Sequence, residues 1–293
     1  GTGPHLPTPA LWRAEPADVA RAWPRPAATD DKYSRGVVGV VAGGASYTGA
    51  AVLAVEGAVR AGAGMVRYLG PEHPTELVRH RRPEVVPGPG RVQAWVLGPG
   101  VDPDDAGQGR RVRDALASGE PAVVDAGAVP ALPPRTDGTR VLTPHAGELA
   151  RLLGARGREV SRAEVEAEPL RYAVEAAERT GATVLLKGAT TVVVGSDGVV
   201  RTAAAAPPWL GTAGAGDVLA GILGTALAAR AGEVRADPAL AGEVAAHAAV
   251  LHGEAAVLAG AGGPLAALDV ADAVPAALTS LPGWEPVPAR GRG

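Results

Sequence analysis

The chain contains no cysteine, so disulfides, cysteine-ligated zinc and thiol nucleophiles are excluded, though the compartment is not fixed by that absence. Phenylalanine is also missing and lysine is scarce, against an abundance of Ala, Gly, Arg and Pro. This bias reflects coding more than function, and it makes each remaining lysine stand out. Nor is there a strong charge of either sign: a formal net charge of −3 over 293 residues gives no electrostatic reason to expect nucleic acid or an anionic membrane as partner. Although 46% of residues are hydrophobic, no uninterrupted apolar run is long enough to span a bilayer. No charged-then-apolar leader opens the sequence. The expectation is a soluble, cytoplasmic protein of one large domain or two small ones. The histidines show no His-Glu-x-x-His pair, which argues against a catalytic zinc, and neither Gly-x-Gly-x-x-Gly nor a P-loop is present.

What is present has a clear rhythm. Residues 1–30 are proline-rich with only a short helical signal at 16–23, and read as a lead-in ahead of a single domain over 31–280. The tail 281–293, rich in Pro, Gly and Arg, reads as flexible. Strand candidates at 37–42, 65–69, 94–97, 122–125 and 140–143 alternate with helical stretches such as 50–61 and 110–118. That alternation predicts an α/β fold with a mainly parallel central sheet covered on both faces. The pattern then changes. One helix is predicted over 165–180, followed by close-spaced strands at 184–187, 191–194 and 199–202. Gly195-Ser196-Asp197-Gly198 joins the last two as a hairpin, so antiparallel strands edge the sheet. Helices are predicted at 217–231, 239–260 and 269–279.

Ligands of open parallel sheets collect at the carboxyl ends of strands, and there lie Gly43-Gly44, Gly98-Pro99-Gly100, Asp125, Thr143-Pro144-His145 and Lys187-Gly188. The small-residue loop Gly211-Thr212-Ala213-Gly214-Ala215-Gly216 joins them, running into a helix at Asp217. Its free N–H groups and positive dipole end suit a phosphate. Asp217 then reads either as an N-cap or as a general base beside a phosphate site. Glu148, in the first turn of the helix after His145, either offsets the dipole or serves a ligand or metal. His145 is a polar loop residue or a substrate contact. Lys187 is a surface lysine or a point charge for phosphate.

Several stations occur in order: Lys32-Tyr33-Ser34-Arg35-Gly36, Ala42-Gly43-Gly44-Ala45-Ser46-Tyr47-Thr48-Gly49-Ala50, Leu97-Gly98-Pro99-Gly100 and Asp125-Ala126. Thr143-Pro144-His145-Ala146-Gly147-Glu148, Lys187-Gly188-Ala189-Thr190-Thr191 and Gly214-Ala215-Gly216-Asp217 follow. Over roughly residues 32–280 the chain thereby resembles the ADP- or ATP-dependent NAD(P)H-hydrate dehydratases of the ribokinase-like superfamily. Gly-Ala-Gly-Asp is shared with many sugar and vitamin kinases, whereas Ser-Tyr-x-Gly-Ala and Thr-Pro-His-x-x-Glu discriminate better.

The resemblance implies a ribokinase-like three-layer α/β/α fold and repair of nicotinamide cofactors hydrated on the reduced ring, acting on the S epimer. The ring hydroxyl is phosphorylated by the nucleotide, phosphate leaves, and NADH or NADPH returns. Asp217 becomes the base, its carboxylate kept ionised by the helix dipole, while the Ala215 and Gly216 amides grip the phosphoryl group. Ala50, Gly100 and His145 become substrate contacts together with Asp217. Lys187, Gly188, Ala189, Thr190, Thr191 and Gly216 hold ADP or ATP, with ADP giving AMP the favoured route. Glu148 organises Mg2+ through water. A homo-oligomer is implied, a tetramer being one arrangement, with neither nucleic acid nor membrane as partner. Asp31 stands where the family often has His, and Ala213-Gly214-Ala215 where many members have Gly-Gly-Thr. An epimerase domain, found in some members, is not expected in a chain of this length. A hydroxymethylpyrimidine or thiazole kinase is the alternative, opposed by His145 where pyrimidine kinases place Asn after the proline. A non-catalytic nucleotide-binding relative is opposed by the presence of Asp217 and Lys187.

Overall fold

Unbroken apolar runs such as Val37–Val41 and Ala94–Leu97 have no polar face to turn to water, so they belong inside a sheet with helices on both sides. The computed structural model, which describes residues 11–204 and 206–287, places them there, both runs being buried along their whole length. Among the described residues ten strands form one sheet: β1 (Trp12–Arg13), β2 (Val37–Val41), β3 (Met65–Tyr68), β4 (Val86–Pro87), β5 (Ala94–Leu97), β6 (Ala122–Val124), β7 (Arg140–Leu142), β8 (Thr183–Leu186), β9 (Thr191–Val194) and β10 (Val200–Ala203). Their order is β1-β10-β9-β8-β7-β6-β5-β2-β3-β4. Only β9 runs against its neighbours, pairing antiparallel with β8 and β10. The predicted hairpin closes it, with Gly195 N–H donating to the Val199 carbonyl at 3.0 Å.

Side chains alternate between two cores, as a period of two requires. Val38, Val40, Val96 and Leu185 face one core with α1 (Pro16–Ala22), α2 (Thr48–Arg60), α8 (Ala215–Ala229), α10 (Leu240–Gly260) and α11 (Ala267–Ser280). Val37, Val41, Leu97 and Leu186 face the other, with α4 (Ala106–Ala117), α5 (Ala146–Ala155), α6 (Arg162–Ala167) and α7 (Pro169–Thr180). The short α3 (Glu72–Arg81) packs beside α2, and α9 (Ala231–Ala236) follows α8. Glu56 of α2, fully buried, accepts from Arg81 Nε at 2.8 Å and Arg82 Nε at 2.7 Å, tying α3 and the turn after it to α2.

Three expectations are corrected. The helix predicted over 165–180 is two helices, because Pro169 has no N–H to donate and Glu168 before it takes a non-helical φ of −129° and ψ of 57°. The lead-in does not stand apart from the fold: β1 pairs in parallel with β10, and Val19, Ala20 and Trp23 are buried in the first core. Its first ten residues lie outside the described residues. The segment after 280 also begins on the core, with Leu281 buried and Trp284 packed against it, while 288–293 lie outside the described residues.

The position of α8 is set by backbone contact with α2. A Cβ on Gly57 would stand 2.3 Å from the Val218 carbonyl oxygen, and one on Gly221 2.1 Å from that of Ala54. Thr225 Oγ1 donates across the same seam to the Ala58 carbonyl at 3.0 Å. Gly221→Val should therefore lower stability by about 1–3 kcal/mol in urea denaturation, since neither helix backbone can yield cheaply. An unchanged midpoint would show that the seam is slack.

Candidate active site

The ends of β2, β5, β6, β7 and β8 on the carboxyl rim each deliver one group, and their contacts join into one site. At the end of β2, the loop through Gly43 and Gly44 packs on the 98–101 turn; Gly100, at φ +62°, lies so close to α2 that a Cβ there would meet the Ala50 Cβ at 2.6 Å. A Cβ on Gly98 would fall 1.8 Å from the Asp125 carbonyl oxygen. Asp125, 3% exposed after β6, accepts from Thr143 Oγ1 at 2.6 Å and from Lys187 Nζ at 3.1 Å. Lys187 Nζ also lies 3.8 Å from Glu148 Oε2, and a Cβ on Gly216 would come within 3.1 Å of it. Gly214 then packs on Leu53 of α2, one turn beyond Ala50. The loops after β2, β5 and β6, the α5 start and the α8 start thus meet at one place.

Thr143-Pro144-His145 turns β7 into α5. His145 is the N-cap: its Nδ1 accepts from the Gly147 and Glu148 amides at 3.0 and 3.3 Å, and its own N–H donates to Glu148 Oε2 at 2.8 Å. With Nδ1 accepting, the neutral ring carries its proton on Nε2, which lies 3.5 Å from Glu148 Oε1. Lys187 N–H donates to the Pro144 carbonyl at 2.8 Å, seating the lysine beside this turn. Glu148 therefore combines the first-turn role with a place in the charged cluster.

Asp217 is the third residue of α8, not its N-cap; that position belongs to Gly214, whose φ of +87° suits glycine. The expectation that the helix dipole keeps the carboxylate ionised is corrected. Burial, reinforced by the charges of Asp125 and Glu148, pushes its pKa up to about 7, with Lys187 pulling the other way. Burial draws the Lys187 ammonium down, but Asp125, Glu148 and Asp217 outweigh it and hold its pKa above the usual value.

Lys187, Gly188, Ala189, Thr191, Ala215 and Gly216 line one cavity of about 670 Å³ together with His145. Its lining also includes the apolar Pro207, Pro208, Leu210, Leu219 and Ala249, with His252. Thr190 lines only a neighbouring cavity of about 770 Å³, which it shares with Lys187, Gly188, Ala189 and His145 as well as Arg162 and Val192. Glu148 opens instead on a cavity of about 880 Å³ walled by Val101, Ala126 and Arg151. Ala50 and Gly100 touch each other outside the lining of these three cavities, and Asp217 lies within the charged cluster of Asp125, Glu148 and Lys187. Among the described residues, no group of three or more His, Asp or Glu side chains is arranged to hold a metal directly. Sequence reasoning assigned no role to Asp125, whose pairing with Lys187 spans 62 residues, or to His252.

A mainly parallel sheet between two helical layers is the fold of a solved ribokinase-like superfamily protein of Enterococcus faecalis, which superposes at a TM-score of 0.78 with 20% identity, covering 96% of this chain and 100% of the other. The solved ADP/ATP-dependent NAD(P)H-hydrate dehydratase of Bacillus subtilis, co-crystallised with ATP/Mg2+, superposes at a TM-score of 0.79 with 26% identity, covering 91% of this chain and 97% of the other. Residues 38–273 match the NAD(P)H-hydrate dehydratase family profile, and the chain belongs to that family. The bifunctional NAD(P)H-hydrate repair enzyme Nnr of Mycobacterium tuberculosis is 44% identical over 225 residues, 73% of this chain and 45% of that protein. The ADP-dependent (S)-NAD(P)H-hydrate dehydratase of Xanthomonas campestris is 36% identical over 248 residues, 76% of this chain and 80% of that one. The chain spans about half the length of the bifunctional relatives it matches. No helix among the described residues is long and apolar enough to cross a membrane.

Proposed function

We propose that this chain restores NADH or NADPH from the S epimer of the hydrated cofactor, consuming ADP to AMP, with ATP as the other candidate nucleotide. The observation that carries the proposal is the buried Asp217 carboxyl group in the first turn of α8, whose pKa is pushed up to about 7 and which lies within the field of the Lys187 ammonium. Hydroxide is a poor leaving group, so direct loss of water from the ring is slow. Asp217 takes the proton of the ring hydroxyl as its oxygen attacks the terminal phosphoryl group, and AMP departs. The Ala215 and Gly216 amides and Lys187 meet the charge on the moving phosphoryl oxygens. The ring nitrogen then expels phosphate, and loss of a proton from the adjacent carbon restores the dihydropyridine.

The nucleotide is assigned to the 670 Å³ cavity, whose Lys187 and Gly216 side takes phosphates and whose apolar wall takes the base. The hydrate is assigned to the Glu148 side, with Ala50, Gly100 and His145 as contacts. Glu148 is the residue that would hold Mg2+, through water, since magnesium keeps most of its own waters and needs only one or two carboxylates, and the ion would supply neutralisation of phosphate charge. A homo-oligomeric state and a cytoplasmic location belong to the same proposal.

The test is incubation with hydrated NADH, Mg2+ and either nucleotide while reduced-nicotinamide absorbance is followed. Recovery of absorbance, faster with ADP, is the expected result. Nucleotide consumption without recovery would identify a small-molecule kinase instead, and binding without consumption a non-catalytic relative.

A further inference from the structure

The cavity of about 880 Å³ on the Glu148 side is walled mainly by apolar residues, among them Val101, Val129, Pro130 and Leu132. Close contacts fix those walls. A Cβ on Gly127 would fall 1.9 Å from the Val101 carbonyl oxygen, and Arg156 donates to the carbonyls of Pro133 and Pro134. The charged side chains lining the cavity are Glu148, Arg151 and Arg156. Two of them are already engaged. Arg156 is occupied by the carbonyls just named, while Glu148 accepts from the His145 N–H at 2.8 Å and lies 3.8 Å from Lys187 Nζ. Arg151 differs. It is exposed, it lines the cavity, and among the described residues it makes no hydrogen bond or ion pair. The arginines of α6 and α7 are matched, Arg162 by Glu166, Arg171 by Glu168 and Arg179 by Glu175. Arg151 stands three residues after Glu148, so the two share one face of α5, about one helical turn apart.

A guanidinium has five donors and no acceptor, so an unmatched one lining an otherwise apolar cavity recognises an anion, and its fork fits phosphate. The hydrated cofactor carries such groups away from its reacting ring: a pyrophosphate in both forms, and one more phosphate in the NADPH form. The cavity is also large enough for a ligand well beyond a nicotinamide ring in size. With the ring at the Asp217 and Glu148 end, the remainder of the dinucleotide has this space to enter. We propose that Arg151 binds a phosphate group of the hydrated dinucleotide here, and that the apolar lining receives the adenosine. This rests on the assignment of the hydrate to the Glu148 side.

The test is repair kinetics of the full chain, Arg151→Ala and Arg151→Lys with three hydrates: those of NADH, NADPH and reduced nicotinamide riboside, the last of which has no phosphate. Arg151→Ala should raise KM for both dinucleotide hydrates by about 10–100-fold, the loss expected for one charge-assisted contact. It should leave kcat, the KM for ADP and the KM for the riboside hydrate within about threefold, and Arg151→Lys should recover part of the loss. An equal loss for the two dinucleotides assigns the contact to the pyrophosphate, and a loss confined to the NADPH form assigns it to the extra phosphate. Unchanged KM for both dinucleotides would overturn the proposal. So would an equal loss for the riboside, as a packing role predicts, or a rise in the KM for ADP instead, which would give this cavity to the nucleotide. Should the variants fail to fold, the wild type still decides: an equal KM for the riboside and dinucleotide hydrates would overturn the phosphate contact. A wild type that repairs none of the three overturns the proposed function itself, a result separable from the others.

Discussion

Replacing Asp217 by Asn is expected to lower the rate of cofactor repair by about 10²–10⁴-fold while changing ADP affinity by no more than about threefold. The two effects separate because they rest on different atoms. Proton removal needs the carboxylate, and Asn keeps its size but cannot accept the proton. Nucleotide binding rests on the α8 amides and Lys187, which the substitution leaves in place. Turnover followed by absorbance and ADP binding followed by calorimetry give the two numbers. Full activity in the variant would refute the role, and a parallel collapse of binding would show that Asp217 holds the loop rather than doing chemistry.

The second large effect is expected from Lys187→Ala, which removes a charge-assisted contact to phosphate of about 1.5–3 kcal/mol and should raise the nucleotide KM by roughly 10–100-fold. A further consequence distinguishes it from a simple binding mutant. In the wild type a base with a pKa of about 7 is protonated and inactive below that value, so kcat/KM for the hydrate should rise with pH through an acid limb near 7. Burial and the Asp125 and Glu148 charges raise that pKa, and Lys187 lowers it. Removing the lysine therefore moves the limb to higher pH. An unchanged nucleotide KM would count against the phosphate contact, and an unmoved limb would disconnect the lysine from the base.

The parts of the fold that local chemistry dictates could be read from the sequence. Val37–Val41 and Ala94–Leu97 are apolar on both faces and became central strands, and the hairpin at Gly195–Gly198 followed from its turn residues. The start of α8 was visible in its small residues and the proline-free run after them. The break at Pro169 had a signal, since a proline constrains the residue before it, but the apolar spacing on either side outweighed it. β1 gave none, because two residues carry no period, and their strand character comes from pairing with β10 nearly 190 residues away.

The site was legible as a set of residue types on one rim, and less so as an electrostatic arrangement. A carboxylate in a first helical turn suggests a lowered pKa, and that local rule failed for Asp217 because the side chain is buried, with the charges of Asp125 at the end of β6 and Glu148 at the start of α5 adding to the effect. Thr190 and Thr191 illustrate the reverse: Lys187, Gly188 and Ala189 line both neighbouring cavities, whereas these two threonines, at the start of β9, each line only one.

The central claim is that the ring hydroxyl itself attacks the nucleotide, so its oxygen must leave with phosphorus. Hydrated NADH carrying 18O in the ring hydroxyl, turned over with ADP and Mg2+, provides the direct measurement by mass analysis of the inorganic phosphate. The account predicts one labelled oxygen in each phosphate released. Label found in water, with the phosphate unlabelled, would contradict it.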